Sequence, residues 1–268
     1  MVHLKEVGEG IAQAIDEGIL QRSDLFLTSQ LRDPEASEVG SEVSAVLNQL
    51  QFPNLDLLLV HWTGEAITGG DVQSWIAVET VLAQGLVRAI GVSNLTLEKL
   101  GQMMPSVNVL PVVGMGEMHP LYRQNELLEY CKSEDIHWTA YGVFGSGEMG
   151  DTTEHARLSA HHNLLKNEAV LAVSIESNKT PAQVLIRWAL QRGTSVTLHT
   201  TNGDRLRENL DVFDWEMSSE QFESLSTIEP QTRMMAGDFL MESDFGRPVT
   251  DKLRDKVWKC SAARQMDL

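Results

Sequence analysis

The sequence is poor in the features that mark several protein classes. Two cysteines, Cys131 and Cys260, are too few for a disulfide framework in a chain of 268 residues, so a reduced, cytoplasmic protein is expected. No run approaches the roughly 20 apolar residues of a membrane span, and the first residues lack the apolar core of a signal peptide. We therefore expect no membrane association.

Positive charge is also scarce. Lysine and arginine number 21 against 38 acidic residues, which gives a net charge of −17 and argues against a nucleic-acid partner. A small anionic ligand remains compatible with the sequence, because it needs only a local cationic pocket. No cysteine, histidine or carboxylate spacing is typical of a metal site, and none is predicted.

Short apolar runs alternate with helical patterns along most of the chain. Most of the runs are continuous, which is typical of parallel strands covered on both faces. The predicted strands are residues 25–31, 55–62, 88–94, 112–119, 136–144 and 195–200. The predicted helices are residues 6–17, 41–50, 71–84, 125–132 and 181–193, with others beginning after Thr96, Asn202 and Ser218. This alternation predicts an α/β fold, either a doubly wound open sheet or a (β/α)8 barrel.

His61 is the first candidate for chemistry. It ends a predicted strand in L-V-H-W-T-G, and in a barrel the carboxyl ends of the strands build the active site. A neutral imidazole there could donate a hydrogen bond to a substrate carbonyl. The alternative is a buried, hydrogen-bonded core histidine.

A second candidate site lies in T-T-N-G-D-R-L-R-E-N-L. A predicted strand ends at Thr200, Asn202 caps a new helix, and Arg205 and Asn209 follow on that helix. Backbone N–H groups at a helix start, with an arginine at hand, can bind an anion. The alternative is a surface helix with the charge pairs Asp204/Arg207 and Arg205/Glu208.

Residues 145–150 satisfy the glycine pattern G-x-G-x-x-G. No apolar helix follows them, so we prefer a loop over a pyrophosphate to a Rossmann dinucleotide-binding motif.

Several segments together resemble the aldo-keto reductases, which are NADP(H)-dependent (β/α)8 barrels that interconvert carbonyls and alcohols. The resemblance covers about residues 6–215 and favours the barrel over the open sheet. The segments that carry it are L-V-H-W, G-L-V-R-A-I-G-V-S-N, G-E-M-H-P, Q-N-E-L-L-E-Y-C-K, T-A-Y-G-V-F-G-S-G, K-T-P-A-Q-V-L-I-R-W-A-L-Q-R-G and D-R-L-R-E-N-L-D-V-F-D-W.

The resemblance implies roles for residues near the reacting groups. The family's carbonyl-orienting histidine corresponds to His61, and the neighbouring substrate-pocket tryptophan to Trp62. The pair that holds the nicotinamide carboxamide corresponds to Ser93 and Asn94. The tyrosine that stacks on the nicotinamide ring corresponds to Tyr141.

The resemblance also implies residues that hold the adenosine and pyrophosphate groups of NADP(H). The arginine and asparagine around the adenosine 2′-phosphate and adenine correspond to Arg205 and Asn209, with Glu208 beside them. Ser146 falls in the loop over the pyrophosphate. The cofactor-binding positions implied in this part of the chain are Ser146, His199, Thr200, Arg205, Glu208 and Asn209.

The chain departs from the family at several positions. Gln30 stands where the catalytic lysine is expected, and a neutral amide cannot lower the pKa of a tyrosine as an ammonium does. The catalytic tyrosine would fall at Met1, and the catalytic aspartate would fall before it. Met115 replaces a nicotinamide-binding glutamine, and His199 replaces a phosphate-loop lysine. The first two strands and one helix are not matched, which leaves about six parallel strands with open edges.

These observations predict a barrel domain over residues 1–231 and a C-terminal loop or tail over 232–268. The expected function is NADP(H)-dependent oxidation and reduction of a small carbonyl or alcohol substrate, with impaired activity. One explanation is a carbonyl reductase whose start is not represented in the sequence. The alternatives are a non-catalytic NADP(H)-binding protein, and an interaction protein whose open edges are covered by self-association or a partner.

Overall fold

The computed structural model describes residues 4–62, 67–145 and 163–234. Within them the chain forms six strands and nine α-helices. The strands are β1 (Thr28–Arg32), β2 (Leu57–His61), β3 (Ile90–Ser93), β4 (Val113–Glu117), β5 (His137–Tyr141) and β6 (Ser195–Val196). The helices are α1 (Leu4–Asp16), α2 (Val39–Leu50), α3 (Gly69–Ala83), α4 (Leu97–Met103), α5 (Asn125–Ser133), α6 (Glu168–Ser177), α7 (Pro181–Gln191), α8 (Gly203–Leu210) and α9 (Ser219–Ser226).

All six predicted strands are present, although each is shorter than its predicted range. The helix starts at Thr96, Thr180, Asn202 and Ser218 are confirmed, because each of these side chains accepts a hydrogen bond from the first turn of its helix. Helix α6 was not predicted. Among the described residues, no helix has the length and apolar character needed to cross a membrane.

The chain divides into two compact units. The described part of the first comprises residues 4–62, 67–114 and 134–136, and that of the second comprises 115–133, 137–145 and 163–234. The division falls within β4. Each unit is described separately below.

The first unit is built on three parallel strands in the order β1-β2-β3. Thr28 lies beside Leu57 in the β1–β2 register, and Leu58 lies beside Ile90 in the β2–β3 register. All five residues of β2 are buried, which explains its continuous apolar sequence. Helix α2 packs on β1 and α3 packs on β3.

The register of this sheet puts polar side chains at its carboxyl edge. His61 is paired with Arg32 on one side and with Ser93 on the other, so all three lie in one row. The backbone N–H of Asp33 donates to the carbonyl of His61 at 2.8 Å, which ties the loop after β1 to the end of β2. The strand ends therefore fix the position of His61.

The second unit contains the parallel pair β5–β6, with Thr139 beside Ser195. The N–H of Met118, directly after β4, donates to the carbonyl of Tyr141 at 3.1 Å. Helices α6, α7 and α9 pack together. Their core includes the fully buried Trp188, whose indole N–H donates to Ser226.

Candidate active site

His61 is the centre of the polar cluster in the first unit. It ends β2, as predicted, and is 8% exposed. The amide nitrogen of Gln30 lies 3.0 Å from its Nδ1. The side-chain amide of Gln30 is therefore within hydrogen-bond distance of the His61 ring. The structure thus combines the two interpretations of His61, since it is buried and hydrogen-bonded yet lies at the carboxyl end of its strand.

Ser93 and Asn94 follow on the neighbouring strand end. Ser93 ends β3 beside His61 and is 1% exposed. Asn94 has φ 61°, a left-handed conformation that asparagine tolerates better than most residues. Its amide nitrogen lies 3.4 Å from Nδ1 and 3.3 Å from Nε2 of His61, so the amide packs against the ring. The structure therefore brings His61, Ser93 and Asn94 together.

Trp62 is buried, with 3% exposure, and its ring lies 6.1 Å from that of Trp75. Its indole nitrogen has no hydrogen-bond acceptor among the residues that the structure describes. Buried indole N–H groups usually find an acceptor. The ring of Trp62 is therefore part of the core of the first unit.

Tyr141 belongs to the second unit and ends β5, where it is half-buried. The predicted strand runs to residue 144, so β5 ends three residues earlier than expected, at Tyr141. Met115 lies inside β4. Ser146 lies outside the described residues, as does most of the G-x-G-x-x-G segment at 145–150.

The predicted anion-binding segment also lies in the second unit. Asn202 accepts hydrogen bonds from the N–H groups of Asp204 and Arg205, at 2.8 and 3.2 Å, and so caps α8 as predicted. His199 and Arg205 are exposed, and Thr200 is half-buried. The predicted pair between Asp204 and Arg207 is present at 3.0 Å, on a surface where such pairs contribute little to stability.

Glu208 and Asn209 lie further along α8 and are half-buried. One carboxylate oxygen of Glu208 accepts a hydrogen bond of 2.5 Å from the hydroxyl of Thr180, the N-cap of α7. Glu208 therefore fixes α8 to the start of α7. Arg205 and Asn209 are four residues apart and share a face of the helix.

These residues fit the chemistry of NADP(H). The hydroxyl of Ser93 and the amide of Asn94 offer the donors and acceptors that a carboxamide requires. In the second unit, the exposed guanidinium of Arg205 at a capped helix start suits a phosphate, and Asn209 offers an amide on the same face.

Sequence reasoning missed the contact between Gln30 and His61. It considered Gln30 only as a neutral residue at the position where the family's catalytic lysine is expected. The two residues are 31 positions apart, and only the parallel register of β1 and β2 brings them together. Alternation along β1 was the available signal, because Gln30 and Arg32 share one face of that strand.

Comparison with known proteins shows the family. The sequence matches the Aldo/keto reductase family over residues 5–230. It is 35% identical over 246 residues to aldo-keto reductase family 4 member C11 of Arabidopsis thaliana, which covers 87% of this chain and 75% of that protein. It is 34% identical over 256 residues to the NADPH-dependent D-xylose reductase of Meyerozyma guilliermondii. That match covers 85% of this chain and 80% of the reductase.

A solved structure gives the same result. The crystal structure of the aldo-keto reductase AKR2E5 complexed with NADPH aligns with a TM-score of 0.78 and 26% identity, over 94% of this chain and 80% of that one. The chain therefore belongs to the aldo/keto reductase family. The barrel-type α/β fold is confirmed, and the doubly wound alternative is wrong.

Proposed function

We propose that the protein is an NADP(H)-dependent oxidoreductase that interconverts an aldehyde or ketone and an alcohol. The observation that carries this proposal is the position of His61. It lies at the carboxyl end of β2, beside Ser93, with the side-chain amide of Gln30 3.0 Å from Nδ1. At this strand end a ring N–H of His61 could donate to a carbonyl oxygen.

The cofactor assignment rests on two separate pairs of residues. In the first, Ser93 and Asn94 would hold the nicotinamide carboxamide. In the second, Arg205 and Asn209 would hold the 2′-phosphate and adenine. Relatives named for NADPH dependence, and a family structure solved with NADPH, support this choice. When bound, the reduced nicotinamide supplies hydride.

Gln30 limits what this chain's own residues do in the reaction. Reduction of a carbonyl requires a proton at the oxygen as well as hydride at the carbon. A neutral imidazole is a good hydrogen-bond donor but a poor acid, because loss of its proton leaves an anion. Since general acid catalysis is worth roughly 10²–10⁴ in rate, the residues described here support binding and orientation with slow turnover.

A second candidate function is favoured by the same substitution. Gln30 carries no charge, whereas the family resemblance predicts an ammonium at this position. A protein that binds NADP(H) without catalysis would keep Ser93, Asn94, Arg205 and Asn209 and would not need the lysine.

The two functions are separated by measuring NADPH consumption by the purified chain with a panel of aldehydes and ketones. The first predicts slow, substrate-dependent oxidation of NADPH that falls at least tenfold in His61→Phe. His137→Phe is a matched control, because His137 is an exposed histidine at the start of β5. Turnover that is equal in both variants would contradict the role of His61. NADPH binding without turnover would favour the second function.

A further inference from the structure

Arg192 is the C-cap residue of α7 and is half-buried. One terminal nitrogen of its guanidinium donates to the backbone carbonyl of Arg123 at 2.8 Å, and the other donates to the side-chain oxygen of Asn125 at 2.7 Å. The guanidinium also lies over the ring of the buried Trp188, 4.8 Å from the ring centroid. These contacts, all within the second unit, fix the position of the guanidinium.

Among the described residues, Arg192 makes no contact with a carboxylate. Other arginines do pair with one, namely Arg22, Arg88, Arg123, Arg187, Arg207 and Arg233. The difference is unexpected in a chain whose 38 acidic residues outnumber its 21 basic ones. A guanidinium has five N–H groups, and Arg192 uses two of them in the bonds to Arg123 and Asn125. The remaining N–H groups have no protein acceptor in the part of the chain that the structure describes.

A second guanidinium adds positive charge beside Arg192. Burial, together with the charge of the nearby Arg123, lowers the pKa of Arg192 to about 10, so Arg192 is charged at neutral pH. Arg123 pairs with Glu229, but the side chain of Glu229 is 62% exposed and solvent screens the pair. The surroundings of Arg192 therefore lack a buried negative charge that would balance the two guanidinium groups.

We propose that Arg192 binds an oxyanion of a small ligand, a phosphate or a carboxylate group, and that Arg123 adds to the attraction. A guanidinium presents its N–H groups in a planar fork that matches the oxygens of either group. A bound anion would also balance a charge that burial makes unfavourable. These residues are distinct from Arg205 and Asn209, so the inference does not rest on the proposed function.

Three substitutions separate anion binding from a purely structural role, in which Arg192 only ties the end of α7 to the start of α5. Arg192→Gln keeps a hydrogen-bond donor but removes the charge. Glu229→Gln removes the carboxylate that competes for the positive charge. Arg187→Gln is the matched control, because Arg187 also belongs to α7 and pairs with Glu216. All three are made in an Arg205→Ala background, so that the expected cofactor site does not contribute to phosphate binding.

The experiment is nitrogen-15 NMR of the whole chain during titration with sodium phosphate, and in a second arm with sodium acetate, at an ionic strength kept constant with sodium chloride. The indole N–H of Trp188 is the reporter, because its ring lies against the guanidinium. We expect a saturable shift that Arg192→Gln weakens about tenfold, since a hydrogen bond to a charged group is lost. Glu229→Gln should tighten binding about threefold. Arg187→Gln should leave binding unchanged.

Absence of a saturable shift with either anion, in a folded chain, would overturn the inference. So would equal weakening in Arg192→Gln and Arg187→Gln. If Arg192→Gln does not fold, Glu229→Gln decides, because a structural role predicts no gain in affinity from that substitution. Saturation with phosphate alone would support the site and assign it to phosphate groups, and saturation with acetate alone would support it and assign it to carboxylates.

Discussion

The carboxylate of Glu117 lies 2.8 Å from Nε2 of His119, and neither side chain is exposed to solvent. The same carboxylate oxygen accepts a hydrogen bond of 2.7 Å from the N–H of Met234. The other oxygen lies 3.6 Å from Nε of Arg233, whose side chain is 7% exposed. Glu117 therefore joins the end of β4 to the segment at 232–234.

Replacing Glu117 by Gln should destabilise the fold by about 2–4 kcal/mol, because it removes a buried charge that has three partners. The measurement is urea unfolding, together with hydrogen exchange of the Met234 amide, which should become faster. Glu229→Gln is the control, since Glu229 pairs with Arg123 while 62% exposed and should cost at most about 1 kcal/mol. Equal losses in the two variants would contradict the account.

Asp56 predicts a pH dependence in the first unit. Burial raises the pKa of this carboxyl, but the N–H of Leu27 and the guanidinium groups of Arg22 and Arg88 outweigh burial and lower it below its usual value. Because the native pKa is below the unfolded value of about 3.9, these contacts stabilise the fold above that pH. Their contribution is lost as the pH falls through the native pKa.

We therefore expect Asp56→Asn to lower the free energy of unfolding by about 1–3 kcal/mol at neutral pH. The difference from the wild type should shrink as the pH falls below about 3.9. Urea unfolding across a pH series measures this difference. Asp204→Asn, at a side chain that is 95% exposed, should show almost no difference at any pH. If the difference in free energy of unfolding between the wild type and Asp56→Asn grew as the pH fell, the lowered pKa of Asp56 would be contradicted.

Two glycines of α1 provide a matched pair. A Cβ on Gly8 would lie 2.5 Å from the carbonyl oxygen of Leu50, whereas a Cβ on Gly10 would meet nothing within 4 Å. Gly8→Ala should therefore destabilise the protein by about 1–3 kcal/mol, because α1 and α2 must separate. Gly10→Ala should stabilise it by about 0.5–1 kcal/mol. Thermal unfolding of both variants decides the point, and a stabilising Gly8→Ala would show that the two helices do not pack as described.

The N-caps of α8 and α9 separate stability from ligand binding. Asn202→Ala and Ser218→Ala each remove a cap and should each cost about 1 kcal/mol. Only Asn202→Ala should also weaken NADPH binding, by several fold, because α8 carries Arg205 and Asn209. Unfolding and NADPH titration are measured on the same samples. Equal weakening of NADPH binding in both variants would assign the effect to stability alone.

The sequence predicted the elements whose signals are local. Strand β2 was found because five consecutive buried residues leave an unbroken apolar run. Helix α7 was found because Thr180 and Pro181 mark its start. Helix α6 was missed because its apolar residues are spread around the helix rather than along one face. Strand β6 has two residues instead of the predicted six. The β-branched residues after Val196 favour a strand, but the strand ends where its pairing with β5 ends.

The candidate site was predicted in part, for similar reasons. His61 was placed at a strand end because a short apolar run shows where a parallel strand stops, whereas Ser93 and Tyr141 were identified only through the family resemblance. The hydrogen bond between Gln30 and His61 and the bond from Thr180 to Glu208 were not predicted. Both join residues about thirty positions apart, so they depend on register and helix packing rather than on spacing.

The central claim, that the chain binds NADP(H) through Arg205, is tested most directly by titrating the purified protein with NADPH and following tryptophan fluorescence. Arg205→Ala and Arg207→Ala are compared, because both are exposed arginines of α8 and Arg207 pairs with Asp204. We predict micromolar binding by the wild type and by Arg207→Ala, weakened at least tenfold in Arg205→Ala. Absence of binding by the folded wild type, or equal weakening in the two variants, would contradict the account.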